Sequence, residues 1–205
     1  MTANRSVRRA APASPKAVRT HTRRTIDVHG GTLRLAVVAD THSRPHARSR
    51  EHVAAVRPDY ILHAGDIGDL EVLDELGELA PVLAIRGNID VTAASVPDAM
   101  TVSLVREGRT LVTLLLLHIA VYGPKLRADA ARLARAEGAQ LVVCGHSHVP
   151  FIGRDGGLAV FNPGSIGPRR FQLPIVFGVI ELEGARIRMY HVDCETGRLW
   201  EPPVL

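Results

Sequence analysis

The chain of 205 residues has only two cysteines and no long apolar segment. Cys144 lies in an apolar run and Cys194 lies near the C-terminus, so the sequence indicates neither a disulfide framework nor a cysteine metal site, as is typical of the reducing cytoplasm. No run approaches the roughly 20 apolar residues that a membrane-spanning helix needs, and no hydrophobic segment follows the N-terminal positive charges. We therefore expect a cytoplasmic protein without a membrane span or a signal peptide.

Three common functional motifs are also missing. The sequence contains no glycine-rich dinucleotide fingerprint, no phosphate loop ending in Gly-Lys-Ser/Thr and no Gly-x-Ser-x-Gly elbow. The sequence therefore gives no support for the chemistries that depend on these three motifs. A chain of this length with 46% hydrophobic residues suits one globular domain.

Acidic residues are absent from positions 1–25, where seven positive charges occur: Arg5, Arg8, Arg9, Lys16, Arg19, Arg23 and Arg24. Without these charges the formal net charge of +4 becomes −3 for the remaining chain. The segment is too poor in apolar residues to fold alone, so we predict a basic, disordered arm over residues 1–25. A solvated tail and a tether for nucleic acid or an acidic membrane are the alternatives, and the acidic balance of the rest disfavours an extended nucleic-acid groove.

Short apolar runs rich in Val, Ile and Leu predict buried strands at residues 33–39, 60–62, 82–85, 111–117 and 141–144. Between them, helical stretches are predicted at residues 48–56, 70–79 and 125–137. Strands that alternate with helices form the βαβ pattern of a parallel sheet. The sequence therefore predicts an α/β fold.

The predicted strands end in side chains that bind metals, namely Asp40, Asp66, Asn88, His118 and His146. In parallel sheets ligands bind outside the carboxyl ends of the strands. We therefore expect these five segments to converge on one site at one edge of a sheet, with oxygen and imidazole ligands for two metal ions.

Each short motif also has a plain structural explanation. Asp40 and His42, two positions apart, can bind one cation, but for this motif taken alone an Asp cap and an exposed His are the favoured explanation. Asp66 can bridge two cations or simply occupy a turn. Asn88 follows a glycine, which suits a tight turn as well as a neutral oxygen ligand beside an anionic phosphate. His118 can be a ligand or merely end an apolar strand.

The sequence Gly145-His146-Ser147-His148 is the strongest single element. Two histidines spaced by one residue directly after a buried strand can reach two different metals, whereas two core histidines satisfied by backbone carbonyls are a less common outcome.

Taken together, these motifs resemble those of the calcineurin-like metallophosphoesterases, of the small bacterial and archaeal phosphodiesterase type. The resemblance covers roughly residues 33–195. Its motifs are Asp40-Thr41-His42, Gly65-Asp66, Gly87-Asn88-Ile89-Asp90, His118, Gly145-His146-Ser147-His148 and Asn162-Pro163-Gly164-Ser165.

The resemblance implies specific metal ligands. Asp40, His42 and His148 would bind the first ion, and Asp66 would bridge both ions. The second ion would take Asn88, His118 and His146. Mixed oxygen and nitrogen ligands suit two divalent ions, Mn foremost, with Fe, Zn, Co or Ni as alternatives.

The chain departs from the family pattern at two places. His118 is followed by Ile119 and Ala120, where relatives more often have Gly and another His. Ile89 stands where many relatives place a His that protonates the leaving group. Asp90 is the nearest candidate for that acid, or for a residue that supports the ligands.

The resemblance also implies the fold, a four-layer αββα sandwich of two mixed β-sheets over residues 33–205. The sequence independently predicts strands for a second sheet, with hairpins at residues 101–105 with 109–116 and at 175–182 with 186–191, and a further strand at 158–161.

The expected function is hydrolysis of small phosphodiesters by a metal-bound hydroxide, with Asn88 and the metals neutralising charge on the phosphoryl oxygens. Small nucleotide-like phosphodiesters are the expected substrates, and nucleic acid is not favoured. The same fold also occurs as a protein-binding module, so a non-catalytic scaffold is one alternative, and a phosphomonoesterase or a nuclease is another. Arg169 and Arg170 either steer phosphate or form a solvated pair.

Overall fold

The computed structural model describes residues 18–184 and 186–202, which contain fourteen strands and three short helices. The strands are β1 (His21–Asp27), β2 (Thr32–Val38), β3 (Tyr60–His63), β4 (Val82–Ala84), β5 (Ala99–Arg106), β6 (Arg109–Leu117), β7 (Val121–Tyr122), β8 (Lys125–Leu126), β9 (Leu141–Val143), β10 (Phe151–Asp155), β11 (Leu158–Asn162), β12 (Val176–Glu183), β13 (Arg186–Asp193) and β14 (Leu199–Trp200). The helices are α1 (Ser49–Ala55), α2 (Glu71–Gly77) and α3 (Ala128–Ala136). No helix among the described residues is long and apolar enough to cross a membrane.

Two six-stranded sheets form the body of the molecule. The first has the order β1-β5-β6-β9-β11-β10, and the second has the order β14-β13-β12-β2-β3-β4. Each sheet combines parallel and antiparallel pairs; β2, β3 and β4, for example, run parallel, whereas β12 pairs antiparallel with β2. Both sheets are therefore mixed, as predicted.

The sheets pack face to face because the strands are apolar on both sides. Along β2, Leu35 and Val37 lie in the core between the sheets, whereas Ala36 and Val38 pack in the cluster that includes α1 and α2. Helix α3 covers the outer face of the first sheet in a third cluster. Continuous burial on both faces accounts for the unbroken apolar runs. The four-layer sandwich is thus confirmed.

The predicted strands are all present, but their grouping differs from the expectation of one βαβ sheet. Strands β2, β3 and β4 belong to the second sheet, whereas β6 and β9 belong to the first. The β12–β13 hairpin joins the sheet of β2 rather than that of β5 and β6. Residues 125–126 form β8 of a small hairpin, so the third helix begins only at Ala128.

The predicted disordered arm is wrong for residues 21–25, because they belong to β1. This strand pairs in parallel with β5 along its whole length. Ile26 of β1 is buried in the core between the sheets. Burial of that side chain and the backbone pairing together order a polar segment that composition alone assigns to a tail. Residues 18–20 of the predicted arm are also described, and the backbone N–H groups of Arg19 and Thr20 donate to Asp98. Residues 1–17 of the predicted arm lie outside the described residues.

Candidate metal centre

The seven predicted ligands gather at one end of the sandwich, and both sheets contribute to them. In the second sheet they follow β2, β3 and β4; in the first, His118 directly follows β6 and the two later histidines follow β9. The side chains of Asp40, His42 and His148 form one group, and those of Asp66, His118 and His146 form another. Within each group the potential ligand atoms all lie within 4.8 Å of one another.

In the first group, two imidazole rings and a buried carboxylate lie close to one another. His42 Nε2 lies 3.3 Å from His148 Nε2, and His148 Nε2 lies 3.4 Å from Asp40 Oδ1. Three donor atoms thus converge on one point from loops that are more than a hundred residues apart in the chain.

The second group is joined to the first through Asp66. Its Oδ1 lies 3.2 Å from His118 Nε2, and its Oδ2 lies 3.8 Å from His42 Nε2, which belongs to the first group. His146 Nδ1 lies 2.9 Å from Asn88 Oδ1, which brings the amide to the same group. Asp66 therefore presents one carboxylate oxygen to each group.

Five of the seven ligands have left-handed backbone conformations. Their φ angles are 54° for Asp40, 47° for His42, 54° for Asp66, 70° for His146 and 58° for His148. Non-glycine residues adopt this region at a cost and concentrate there at functional sites. The surrounding hydrogen bonds and packing hold these loops in conformations that the residues would not choose by themselves.

Glycines before the ligands let the loops approach closely. A Cβ on Gly87 would lie 2.1 Å from Asp66 Oδ1 and 2.3 Å from the Asp66 backbone nitrogen. A Cβ on Gly65 would lie 2.7 Å from His118 Nδ1. The glycines of the Gly-Asp and Gly-Asn motifs are therefore required by contacts between the loops rather than by their own turns alone.

Asp90 ties two of the ligand loops together. Its carboxylate accepts backbone N–H groups from Ile67 at 3.1 Å, Gly68 at 2.9 Å and Gly87 at 2.7 Å. The carboxylate is buried, and all three contacts use its oxygens as acceptors. This geometry favours a role in holding the loops of Asp66 and Asn88; the role of acid for the leaving group stays a prediction.

The Asn-Pro-Gly-Ser turn supports ligand loops from both sheets. Asn162 Nδ2 donates to the Gly145 carbonyl at 2.8 Å and to Ser147 Oγ at 3.1 Å. Ser165 Oγ donates to the Asp40 carbonyl at 3.0 Å. The sequence identified this turn as part of the family pattern but assigned it no role, and the tertiary contacts supply one.

The buried His63 holds the loop after β2. Its Nδ1 accepts the Gly65 N–H at 3.2 Å, and its Nε2 lies 3.0 Å from Thr41 Oγ1. Thr41 Oγ1 donates to the Ile67 carbonyl at 2.8 Å. Burial lowers the pKa of His63 to about 4, so this histidine is a neutral structural group.

Burial and mutual contacts shift the titration of the ligands. Burial raises the pKa of Asp40 to about 7. Burial also acts to raise that of Asp66, but the close contact with His118 and the charge of that ring outweigh it and hold the pKa of Asp66 at about 2. Burial, followed by the charge of Arg170, lowers the pKa of His148 to about 4. In this arrangement His148 is a neutral imidazole, the form that binds metals.

The donor set fits divalent cations. His118 Nδ1 donates to the Ala64 carbonyl at 2.7 Å, and this contact orients the ring with Nε2 3.2 Å from Asp66 Oδ1. Among the described residues, His118 Nε2 and Asp40 Oδ1 are buried without a hydrogen-bond partner. Buried polar atoms without partners are costly, and a cation would satisfy both. Imidazole, carboxylate and amide donors suit first-row divalent metals.

The two arginines after the Asn-Pro-Gly-Ser turn have different partners. Arg169 forms an ion pair with Glu195 and donates to the Leu173 carbonyl at 2.9 Å. Arg170 Nη2 donates to His42 Nε2 at 3.2 Å. Sequence reasoning left this pair without a role, since two adjacent arginines carry no signal that distinguishes them.

The fold and the donor cluster agree with the comparison to known protein families. The model of the calcineurin-like phosphoesterase superfamily domain matches residues 33–185. The chain therefore belongs to this family, whose members are phosphoester hydrolases that use divalent metals.

Similar proteins agree with this assignment. A protein of Methanocaldococcus jannaschii named probable metallophosphoesterase is 32% identical over 147 residues, which cover 69% of this chain and 72% of that protein. Two solved structures share the fold at 20% identity, and for each the likeness covers 82% of this chain and 96% of the other. They are a Vps29 mutant of Entamoeba histolytica, with a TM-score of 0.66, and the phosphoesterase Yfce of E. coli, with a TM-score of 0.53.

Proposed function

We propose that the protein is a two-metal phosphodiesterase that hydrolyses small phosphodiesters. The observation that carries the proposal is the pair of ligand groups with Asp66 between them. Asp40, His42 and His148 would hold the first ion, and Asp66 would bridge the two. The second would be held by Asn88, His118 and His146.

The bound metals, most simply Mn²⁺, would lower the pKa of water toward neutrality and offset the charge of the phosphate. Asn88 suits this task because its amide adds no negative charge to the site. Its Oδ1 faces His146, so its Nδ2 is left to donate to a phosphoryl oxygen of the substrate.

The preference for diesters follows from the residues beside Asn88. Ile89 is apolar, and Asp90 is engaged by three backbone N–H groups. Protonation of the leaving group, a step that general acids typically accelerate by about 10² to 10⁴, is therefore weak in this proposal. Diesters and activated esters, whose leaving groups need less help, are therefore the proposed substrates.

The test is hydrolysis of bis-p-nitrophenyl phosphate by metal-stripped protein refilled with Mn²⁺. We expect metal-dependent cleavage that is lost in Asp66→Asn and retained in Asp69→Asn, an exposed carboxylate three residues away. Comparable rates on an alkyl monophosphate would contradict the diester preference.

The alternative is a non-catalytic, protein-binding role for the same fold, which the likeness to Vps29 suggests. All seven ligand positions carry competent donors, which favours the enzyme. Folded protein without turnover in any of Mn, Fe, Zn, Co or Ni would favour the scaffold instead.

A further inference from the structure

Arg170 is a cation beside the ligand groups that has no carboxylate of its own. Its Nη2 contacts His42 Nε2, and no carboxylate within the described ranges forms an ion pair with it. Its neighbour Arg169, in contrast, is paired with Glu195. A guanidinium presents a planar set of donors that matches a phosphate group.

The position of Arg170 changes its role once metals are present. His42 Nε2 is a predicted ligand atom, so a cation there would repel the guanidinium and take its hydrogen-bond acceptor. Arg170 would then be held beside an anion bound at the metals without any competing partner in the described structure.

Exposed apolar side chains directly follow three of the residues at or beside this centre. Ile89 directly follows Asn88 and is 41% exposed, Val149 directly follows His148 and is 45% exposed, and Phe171 directly follows Arg170 and is 93% exposed. Phe171 also has a left-handed backbone, with φ of 53°, which is unusual for a bulky residue. Because each of the three lies next in the chain to a residue at or beside the centre, together they offer it exposed apolar surface.

From these contacts we infer that Arg170 binds the phosphate of the substrate and that the apolar rim of Ile89, Val149 and Phe171 binds an aromatic group attached to it. The substrate class is then a phosphodiester with an aryl or nucleobase ring. An aromatic side chain provides a face on which a ring stacks, and an Arg side chain donates hydrogen bonds to phosphate. This inference rests on the proposed two-metal site and names what that site selects.

The test uses two phosphonates, whose C–P bonds resist hydrolysis. Calorimetry on the Mn²⁺-loaded protein measures the dissociation constants of methylphosphonate and phenylphosphonate. We expect the phenyl compound to bind about tenfold more tightly in the wild type, because only it reaches the rim. Arg170→Ala should weaken both by about tenfold or more, since it removes charge-assisted hydrogen bonds, and Arg170→Lys should recover part of the loss.

Matched variants separate the two parts of the inference. Phe171→Ala should remove most of the preference for the phenyl compound and leave methylphosphonate binding unchanged. Arg169→Ala and Tyr122→Ala, an arginine paired elsewhere and an aromatic side chain exposed on β7, should leave both constants unchanged. Equal losses in the Arg169 and Arg170 variants would overturn the role of the Arg170 guanidinium.

The inference and the proposed function fail in different ways. Equal affinity of the wild type for the two phosphonates, or binding of neither, overturns the inference, even if diester cleavage that depends on Asp66 is present. The expected phosphonate pattern without diester turnover supports the rim and overturns the phosphodiesterase proposal.

Discussion

The metal centre depends on glycines whose backbone lies directly against a ligand residue, and Gly87 is the clearest case. The residue lies against both the carboxylate and the backbone nitrogen of Asp66. Any side chain there must push the loop after β4 away from the loop after β3. The position of Asp66, which contacts both ligand groups, therefore depends on the absence of a side chain at Gly87.

Gly87→Ala is expected to lower metal-dependent turnover at least tenfold and to destabilise the fold by about 1–3 kcal/mol, the usual cost of overpacking. The matched control is Gly77→Ala in the last position of α2, where an added Cβ meets nothing within 4 Å. This control should keep its activity and gain up to about 1 kcal/mol. Steady-state kinetics and thermal unfolding measure both effects, and an active Gly87→Ala enzyme would contradict the role of this contact.

Asp90 holds two of the ligand loops through its contacts with three backbone N–H groups. Asp90→Asn replaces one acceptor oxygen with a donor and leaves buried N–H groups unsatisfied, so we expect a loss of about 1–3 kcal/mol and weaker metal binding. The measurement that distinguishes the roles is the pH dependence of kcat. If Asp90 only holds the loops, the alkaline limb persists in the variant; disappearance of that limb would identify Asp90 as the acid.

Strand β1 depends on a carboxylate outside it. Asp98 Oδ2 accepts the backbone N–H groups of Arg19 at 2.8 Å and Thr20 at 2.9 Å, and Oδ1 accepts from Arg86 Nε at 2.6 Å. These contacts fix the chain just before β1 and set its register against β5. Because β1 is an edge strand, this anchor and the burial of Ile26 hold it in place.

Asp98→Asn should lower the melting temperature in a pH-dependent way. Burial opposes ionisation of Asp98, but hydrogen bonds from Arg86, Thr20 and Arg19 outweigh it and hold its pKa well below the usual range. A lowered folded-state pKa gives stability that is present above about pH 4 and is lost as the pH falls through the folded-state pKa. Thermal unfolding of the wild type and the variant between neutral and acidic pH should show that the difference between their melting temperatures becomes smaller in acid.

The control for this prediction is Asp27→Asn, which changes an exposed carboxylate at the end of β1 itself. It should leave the melting temperature nearly unchanged at every pH. If the difference in melting temperature between the wild type and Asp98→Asn stayed constant down to acidic pH, the charge of Asp98 would not stabilise the fold.

The metal centre joins the two sheets of the sandwich. The second sheet supplies Asp40, Asp66 and Asn88, and the first supplies His118 and His148. Bound ions would therefore add cross-links between layers whose other contacts are apolar packing. Binding to the folded state alone stabilises it by mass action.

Metal addition should raise the melting temperature of the apoprotein, with about 2.7 kcal/mol of stabilisation at free metal one hundred times the dissociation constant. Titration with Mn²⁺ followed by thermal unfolding measures this effect, and a chelator should reverse it. Asp66→Asn should show a much smaller shift, whereas Asp69→Asn should behave like the wild type. The absence of any shift at saturating metal would contradict a site shared between the sheets.

Local chemistry in the sequence was sufficient to predict the strands, the donors that follow them and the class of the fold. Each apolar run is short and bounded, and each donor lies within a few residues of the strand that positions it, so Asp40 and His146 were identifiable from nearest neighbours in the chain. The family resemblance grouped Asp40, His42 and His148 on one ion, and the geometry also brings these three together, whereas it places Asp66, the implied bridge, in the group of His118 and His146.

Only the tertiary structure decided which strands share a sheet, since pairing depends on partners far away in the chain. It assigned β6 and β9 to one sheet and β2 to the other, and it ordered β1 through Asp98 and β5. It also distinguished Arg170, which faces His42, from Arg169, which faces Glu195. These outcomes rest on contacts between distant segments, and the residue types alone do not determine them.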